Sequence, residues 1–314
     1  MPTGPRRALL VFLDGVGIGP ADAEANPFAA ASLPRIRELL GGRIPVADEL
    51  DGEGRIVAER AVLASADATL GVDGIPQSGT GQTTLLTGRN AAALYGRHFG
   101  PWVPTALREM LAAENLLVRA QQGGLAAAFA NAYPVALIEA DPRIFRRPAA
   151  PPLAARAAGV LTRDVPQLAA GEAVASSITN HRWRERTAEV APVTAEQAGR
   201  NLAAIAAAAE VTLFAHYDTD YAGHRGGMEG AVAALERVDA FLGGLADALA
   251  PDTLLVVSSD HGNVEDVREG HTLNPVPVLA LGPGREALAE RIRSIADVTP
   301  AILALLGIPT DPNP

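Results

Sequence analysis

Apolar and polar positions alternate in blocks along the chain rather than residue by residue. "ALLVFLDG" (8–15) is a continuous apolar run that stops at Asp14 and a glycine, the pattern of a strand buried on both faces. "VTLFAHYD" (211–218), "TLLVVSSDHG" (253–262) and "VPVLALGPG" repeat it. Between them lie segments of helical period: "SLPRIRELL" (32–40), "VPTALREMLAAE" (103–114), "GAVAALERVDAFLGGLADALA" (230–250) and "DVTPAILALLGI" (297–308). "TAEQAGRNLAAIAAAAE" (194–210) adds a start signal, with Thr194 as N-cap and Gln197 three residues later as in a capping box. Short strand candidates fall within 43–70, and "GLAAAFAN" (124–131) reads equally as strand or helix. Apolar strands that alternate with helices predict an α/β fold with a mostly parallel sheet covered on both faces.

The segment from 136 to 192 breaks this rhythm. "RRPAAPPL" (146–153) is rich in proline, and "NHRWRER" (180–186) is a basic, aromatic patch. The expectation is an insertion, a small cap on the core.

Composition narrows the function. Hydrophobic residues make up 48% and charged residues 20%, which is globular. Cysteine is absent, so thiolate metal sites and cysteine nucleophiles are excluded. Lysine is absent too, which removes Schiff-base chemistry and a P-loop lysine. A net charge of −10 argues against a nucleic-acid surface. The first apolar run is too short for a signal or a membrane span, so a cytoplasmic protein is expected. Nothing bears on oligomeric state.

Three strands end in metal-type residues. The first ends at Asp14, the second runs into Asp218, Asp220 and His224, and the third into Asp260 and His261, with His271 close behind. Sites in open α/β sheets form beyond the carboxyl ends of strands. Four of the six histidines, at 216, 224, 261 and 271, lie in or near these ends. Carboxylate plus imidazole suits zinc, manganese or iron. One set of Asp, Asp, His and a hydroxyl, and another of Asp, His, His, would hold two metals suited to phosphoryl chemistry. The hydroxyl is sought in "GIPQSGTGQTTLLTGRN" (74–90), a glycine-rich turn leading into a helix. The residues themselves leave Ser78 and Thr80 both open. Gly79 and Gly81 are expected to let backbone N–H groups approach a phosphate.

The motifs, in this order, resemble those of the alkaline phosphatase superfamily, and of its branch with cofactor-independent phosphoglycerate mutase and phosphopentomutase. "LDGVGIGP" with "NPFAAASLPRIREL" is similar to the opening strand and first helix of that branch. "SGTGQTTLLTGR" is similar to its nucleophile segment, and "DYAGH", "DHGN" and "HTLNPVP" to its later ligand motifs. The resemblance implies a three-layer αβα sandwich for the core at 1–135 and 193–314, and does not cover the expected insertion or cap at 136–192. It implies Asp14, Ser78, Asp260 and His261 around one divalent metal and Asp220, His224 and His271 around the other. Asp220 is favoured over Asp218, Ser78 over Thr80 as nucleophile, and manganese over zinc. The chain departs from the mutases at Gln82, where they carry histidine, in having no lysine, and in its short insertion.

The expected activity is therefore that of a two-metal phosphohydrolase or phosphotransferase acting on a small phosphate ester through a phosphoseryl intermediate. A phosphomutase and a non-catalytic metal-binding protein are the alternatives. With no lysine, arginines must clamp the substrate, and Arg89, Arg182, Arg184 and Arg186 are the candidates.

Overall fold

In the computed structural model, residues 4–268 and 270–310 are described. Positions 1–3 and 311–314 of the expected core, and Glu269 of "EGHTLNPVP", lie outside the described residues.

Seven strands form one sheet: β1 (Arg7–Leu13), β2 (Arg55–Val57), β3 (Ala61–Ala66), β4 (Ala127–Phe129), β5 (Val211–His216), β6 (Thr253–Ser258) and β7 (Val276–Leu281), in the order β2-β3-β7-β6-β1-β5-β4. β4, β5, β1 and β6 run parallel, whereas β7 is antiparallel to both β6 and β3, and β2 is antiparallel to β3. The ambiguous segment at 124–131 is a short edge strand.

The alternation of β1 builds the two interior layers. Leu10 and Phe12 pack with Leu85, Leu86, Leu111 and Leu117 on one face. Leu9, Val11 and Leu13 pack with Ile36, Leu202, Phe241 and Leu245 on the other. Successive strand side chains point to opposite faces, so a run apolar at every position must be covered twice. The result is a mixed α/β sandwich with helices on both sides of a mostly parallel sheet.

Helix Ala195–Ala207 is capped by the Thr194 hydroxyl, which accepts from the Gln197 N–H at 3.2 Å. The return bond of a capping box is missing, because Gln197 Oε1 accepts from Arg200 Nε instead. The segment 136–192 is divided between two environments. Helix Ala150–Ala157 places Ala150, Ala154 and Ala155 in the main apolar layer. Leu168, Ala173, Ala175 and Val190 form a small separate cluster with Ala132.

Candidate metal centre

The order β6-β1-β5 sets the carboxyl ends of three parallel strands side by side. Leu13 is in register with His216, and Phe12 with Ser258. Neighbouring strands lie about 4.8 Å apart, so residues just past these ends converge without long loops. Asp14 follows β1, and Asp260 and His261 follow β6. After β5 the chain turns directly into helix Asp218–Arg225. Asp220 and His224 are then four residues apart on one helical face. His271 returns from the β6–β7 loop, where Thr272 pairs with Gly262 in an isolated bridge.

Two triads result. The ligand atoms of Asp14, Asp260 and His261 lie within 4.8 Å of one another, and so do those of Asp220, His224 and His271. The triads adjoin: the His261 and His271 rings stack with centroids 3.9 Å apart. His261 Nδ1 lies 3.2 Å from the Gly262 carbonyl and His271 Nδ1 3.0 Å from the Pro76 carbonyl. A carbonyl only accepts, so each Nδ1 donates to its carbonyl and each Nε2 is the ring nitrogen turned toward the carboxylates.

The electrostatics favour a cation at the buried carboxylates. Asp14 Oδ1 and Asp260 Oδ2 are buried without a hydrogen-bond donor. Burial, then the neighbouring Asp260 carboxylate, pushes Asp14 well above the usual carboxylate range. Burial raises Asp260 as well. Burial would depress His261, but Asp260 and Asp14 outweigh it and push the ring up to about 10. Burial also acts to raise Asp220, yet the hydrogen bond from His271 and the other nearby histidines take it down to about 2. Packed carboxylates of this kind must recruit protons or a metal. Oxygen and imidazole donors in both triads, with unpaired buried carboxylate oxygens in the first, fit divalent ions.

The glycine-rich stretch becomes the buried helix Ser78–Thr87. Its hydroxyls would be costly if unpaired; Thr83, Thr84 and Thr87 each donate to the carbonyl four residues back. Ser78 opens the helix with its Oγ 3.0 Å from His261 Nε2. Thr80 faces elsewhere: its Oγ1 accepts from the Phe99 N–H at 3.1 Å, and its own N–H donates to the Phe99 carbonyl. Gly79 and Gly81 stand where the chain packs closely. A Cβ on Gly79 would lie 2.2 Å from the Trp102 carbonyl oxygen, and one on Gly81 2.7 Å from that of Asp260.

The candidate arginines part company. Arg89 lies beyond the other end of the Ser78 helix, roughly 15 Å away by helical rise, and pairs with Glu114 at 2.6 Å. The structure does not bring it to the triads. Arg182 is on the short helix His181–Arg184, pairs with Asp218 at 2.7 Å and lies over the Tyr221 ring. Asp218 thus anchors this arginine and joins neither triad. Arg184 and Arg186 are exposed on the same turn.

Other residues support the ligands. Gln82 donates to Asp14 Oδ2 at 3.2 Å and accepts from the Ala150 N–H at 3.1 Å, tying the 136–192 segment to the metal centre. Asn263 donates to Asp220 Oδ1 at 2.6 Å, and Thr219 to the Asp14 carbonyl. Asn263 ends the "DHGN" motif, which is the signal that marks it; Thr219 has none.

Comparison with known proteins agrees with this geometry. Residues 187–310 match the model of the Metalloenzyme superfamily. Over 112 residues the chain is 39% identical to a 2,3-bisphosphoglycerate-independent phosphoglycerate mutase of Desulforudis audaxviator, covering 33% of this chain and 22% of the mutase. Over 96 residues it is 44% identical to a phosphopentomutase of Methylobacterium nodulans, covering 30% and 23%. The matched segments thus span less than a quarter of these relatives. The fold superposes on an alkaline phosphatase from the Antarctic bacterium TAB5 with TM-score 0.52 and 14% identity, over 99% of this chain and 100% of that one. Among the described residues no helix is long and apolar enough to cross a membrane. The segment 187–310 that matches the Metalloenzyme superfamily carries Asp220, His224, Asp260, His261 and His271, and the sandwich around these paired triads is alkaline phosphatase-like in fold.

Proposed function

We propose that the chain is a phosphoryl-transfer enzyme in which Ser78 takes a phosphoryl group from a small phosphate ester and passes it to water. The observation that carries this reading is the 3.0 Å separation between the Ser78 hydroxyl and His261 Nε2, at the edge of a buried ligand triad. Two divalent cations, manganese ahead of zinc as the resemblance implies, would neutralise charge on the phosphoryl oxygens and make the hydroxyl a competent nucleophile. Asp14, Asp260 and His261, with Ser78, would hold one; Asp220, His224 and His271 would hold the other.

In the first step Ser78 Oγ bonds to phosphorus in line with the ester oxygen, which leaves with a proton. In the second, water attacks phosphorus, the bond to Oγ breaks and phosphate departs. The start of the Ser78 helix adds a field that favours the anion. Arg182, held over Tyr221 by Asp218, is the rim cation that meets the substrate, and Arg184 and Arg186 extend the same positive turn. The His224 side chain is 43% exposed, which would give water a way in beside the second triad.

The matches to two mutases favour a second reading, in which the phosphoryl group returns to another oxygen of the same substrate. Turnover of phosphate esters in oxygen-18 water separates the two. Hydrolysis releases labelled phosphate with little isomerised ester. Rapid isomerisation of 3-phosphoglycerate or a pentose phosphate, with negligible phosphate release, would replace hydrolase by mutase. Metal binding without turnover of any ester would leave a metal-stabilised binding protein.

A further inference from the structure

Glu265 is 1% exposed and belongs to neither triad, yet its carboxylate gathers the loops that carry them. Oε2 accepts from the Gly17 and Asn263 N–H groups, each at 2.8 Å. Oε1 accepts from the Thr272 hydroxyl and from Asn274 Nδ2 at 3.1 Å. Gly17 is three residues past Asp14, Asn263 two past His261, and Thr272 is next to His271. The chain closes tightly around the carboxylate: a Cβ on Gly17 would lie 2.2 Å from Oε1, and one on Gly262 2.3 Å from it.

We propose that Glu265 is a positioning residue that sets the two ligand triads relative to each other. A carboxylate has about four lone-pair sites, and four donors from three ligand-bearing stretches fill them. Burial of a charge is costly unless its hydrogen bonds are complete, so these loops are held where all four bonds form together. Charge-assisted bonds are shorter and stronger than neutral ones, and two of the four come from backbone amides, which cannot rotate to find another partner. Asn263 extends the arrangement to the second triad through its bond to Asp220 Oδ1. Glutamine at 265 keeps one oxygen for the two amides, and its amide nitrogen can face Thr272 and Asn274, which can turn to accept. Alanine leaves every donor without an acceptor.

This inference rests on the metal reading, and Mn2+ tests it directly. Metal-stripped wild type, Glu265→Gln and Glu265→Ala are titrated with Mn2+ while the free ion is followed by electron paramagnetic resonance. The melting temperature of each metal-free protein is recorded in parallel. The alanine variant is expected to bind both ions about 10- to 100-fold more weakly, as loss of a ligand-supporting partner typically causes, and glutamine about threefold or more. A purely structural role would lower the metal-free melting temperature and leave both Mn2+ affinities within twofold of wild type, and that result overturns the proposal. If the alanine variant does not fold, the glutamine variant decides by the same criterion. A wild type that binds no Mn2+ would remove the two-metal reading together with this one, whereas normal wild-type binding with unchanged variants removes this one alone.

Discussion

Ser78 and Thr80 stand two residues apart on one helix, and their hydroxyls face different chemistry. Ser78 meets Nε2 of a buried imidazole, while Thr80 is consumed by the backbone of Phe99. Composition leaves either open at a glycine-rich helix start; the resemblance favours Ser78, and the packing of the Phe99 loop sets the two hydroxyls apart. His216 is a second residue whose surroundings are hidden in sequence. It ends β5 among metal-type residues, but Nδ1 lies 2.7 Å from the Ser176 carbonyl and Nε2 is buried without a partner. Burial pushes its pKa down to about 4, against about 6.5 in the unfolded chain. The unfolded state therefore takes up a proton first as pH falls. His216 contributes stability above pH 6.5, and roughly 3 kcal/mol of it is lost between pH 6.5 and 4. Urea unfolding of metal-stripped protein at pH 7 and pH 4.5 should show a smaller acid loss for His216→Gln than for wild type. Equal losses would contradict the assignment.

At the scale of elements, the strands were legible because burial on both faces leaves no polar position, and β1, β5, β6 and β7 read as continuous apolar runs. Less legible was "DTDYAGHR", which looks like a loop because it carries little apolar character. Its acids in the first turn and His224 and Arg225 in the last match the helix dipole, and that signal distinguishes it from a loop. "PAAPP" reads as a break, yet Pro151 and Pro152 stand in the first turn of helix Ala150–Ala157, where a missing N–H costs nothing. The role of Gly81 depends on tertiary contact and is invisible along the chain. Alanine there gains about 1 kcal/mol of helix propensity, but its Cβ would press on the Asp260 backbone, and overpacking costs about 1–3 kcal/mol. Gly81→Ala should therefore lower stability by about 1 kcal/mol and weaken Mn2+ binding. Gly230→Ala, in helix Gly227–Ala248 with nothing within 4 Å of the new Cβ, should raise stability by up to about 1 kcal/mol. Denaturant unfolding of both variants checks this, and stabilisation by Gly81→Ala would contradict the packing argument.

Across the whole molecule, sheet order converts motifs scattered over most of the chain into one centre. β1 lies between β5 and β6, so acids separated by some 200 residues in sequence meet at adjacent strand ends. The two triads were legible as candidates because metal chemistry restricts residue types so severely. The supporting partners were not: Gln82, Thr219 and Glu265 are ordinary polar residues until the fold buries them. The same geometry leaves the Ser78 hydroxyl at the edge of the triads, so the account turns on where the phosphoryl group goes. The direct measurement is to incubate the Mn2+-loaded protein with a phosphate ester labelled at phosphorus, quench in acid and map the labelled peptide, alongside Ser78→Ala and Thr80→Ala. The account predicts label on Ser78 in wild type and in Thr80→Ala, with none in Ser78→Ala and turnover there reduced by about 10³-fold or more. Label on Thr80, or full turnover by Ser78→Ala, would contradict it.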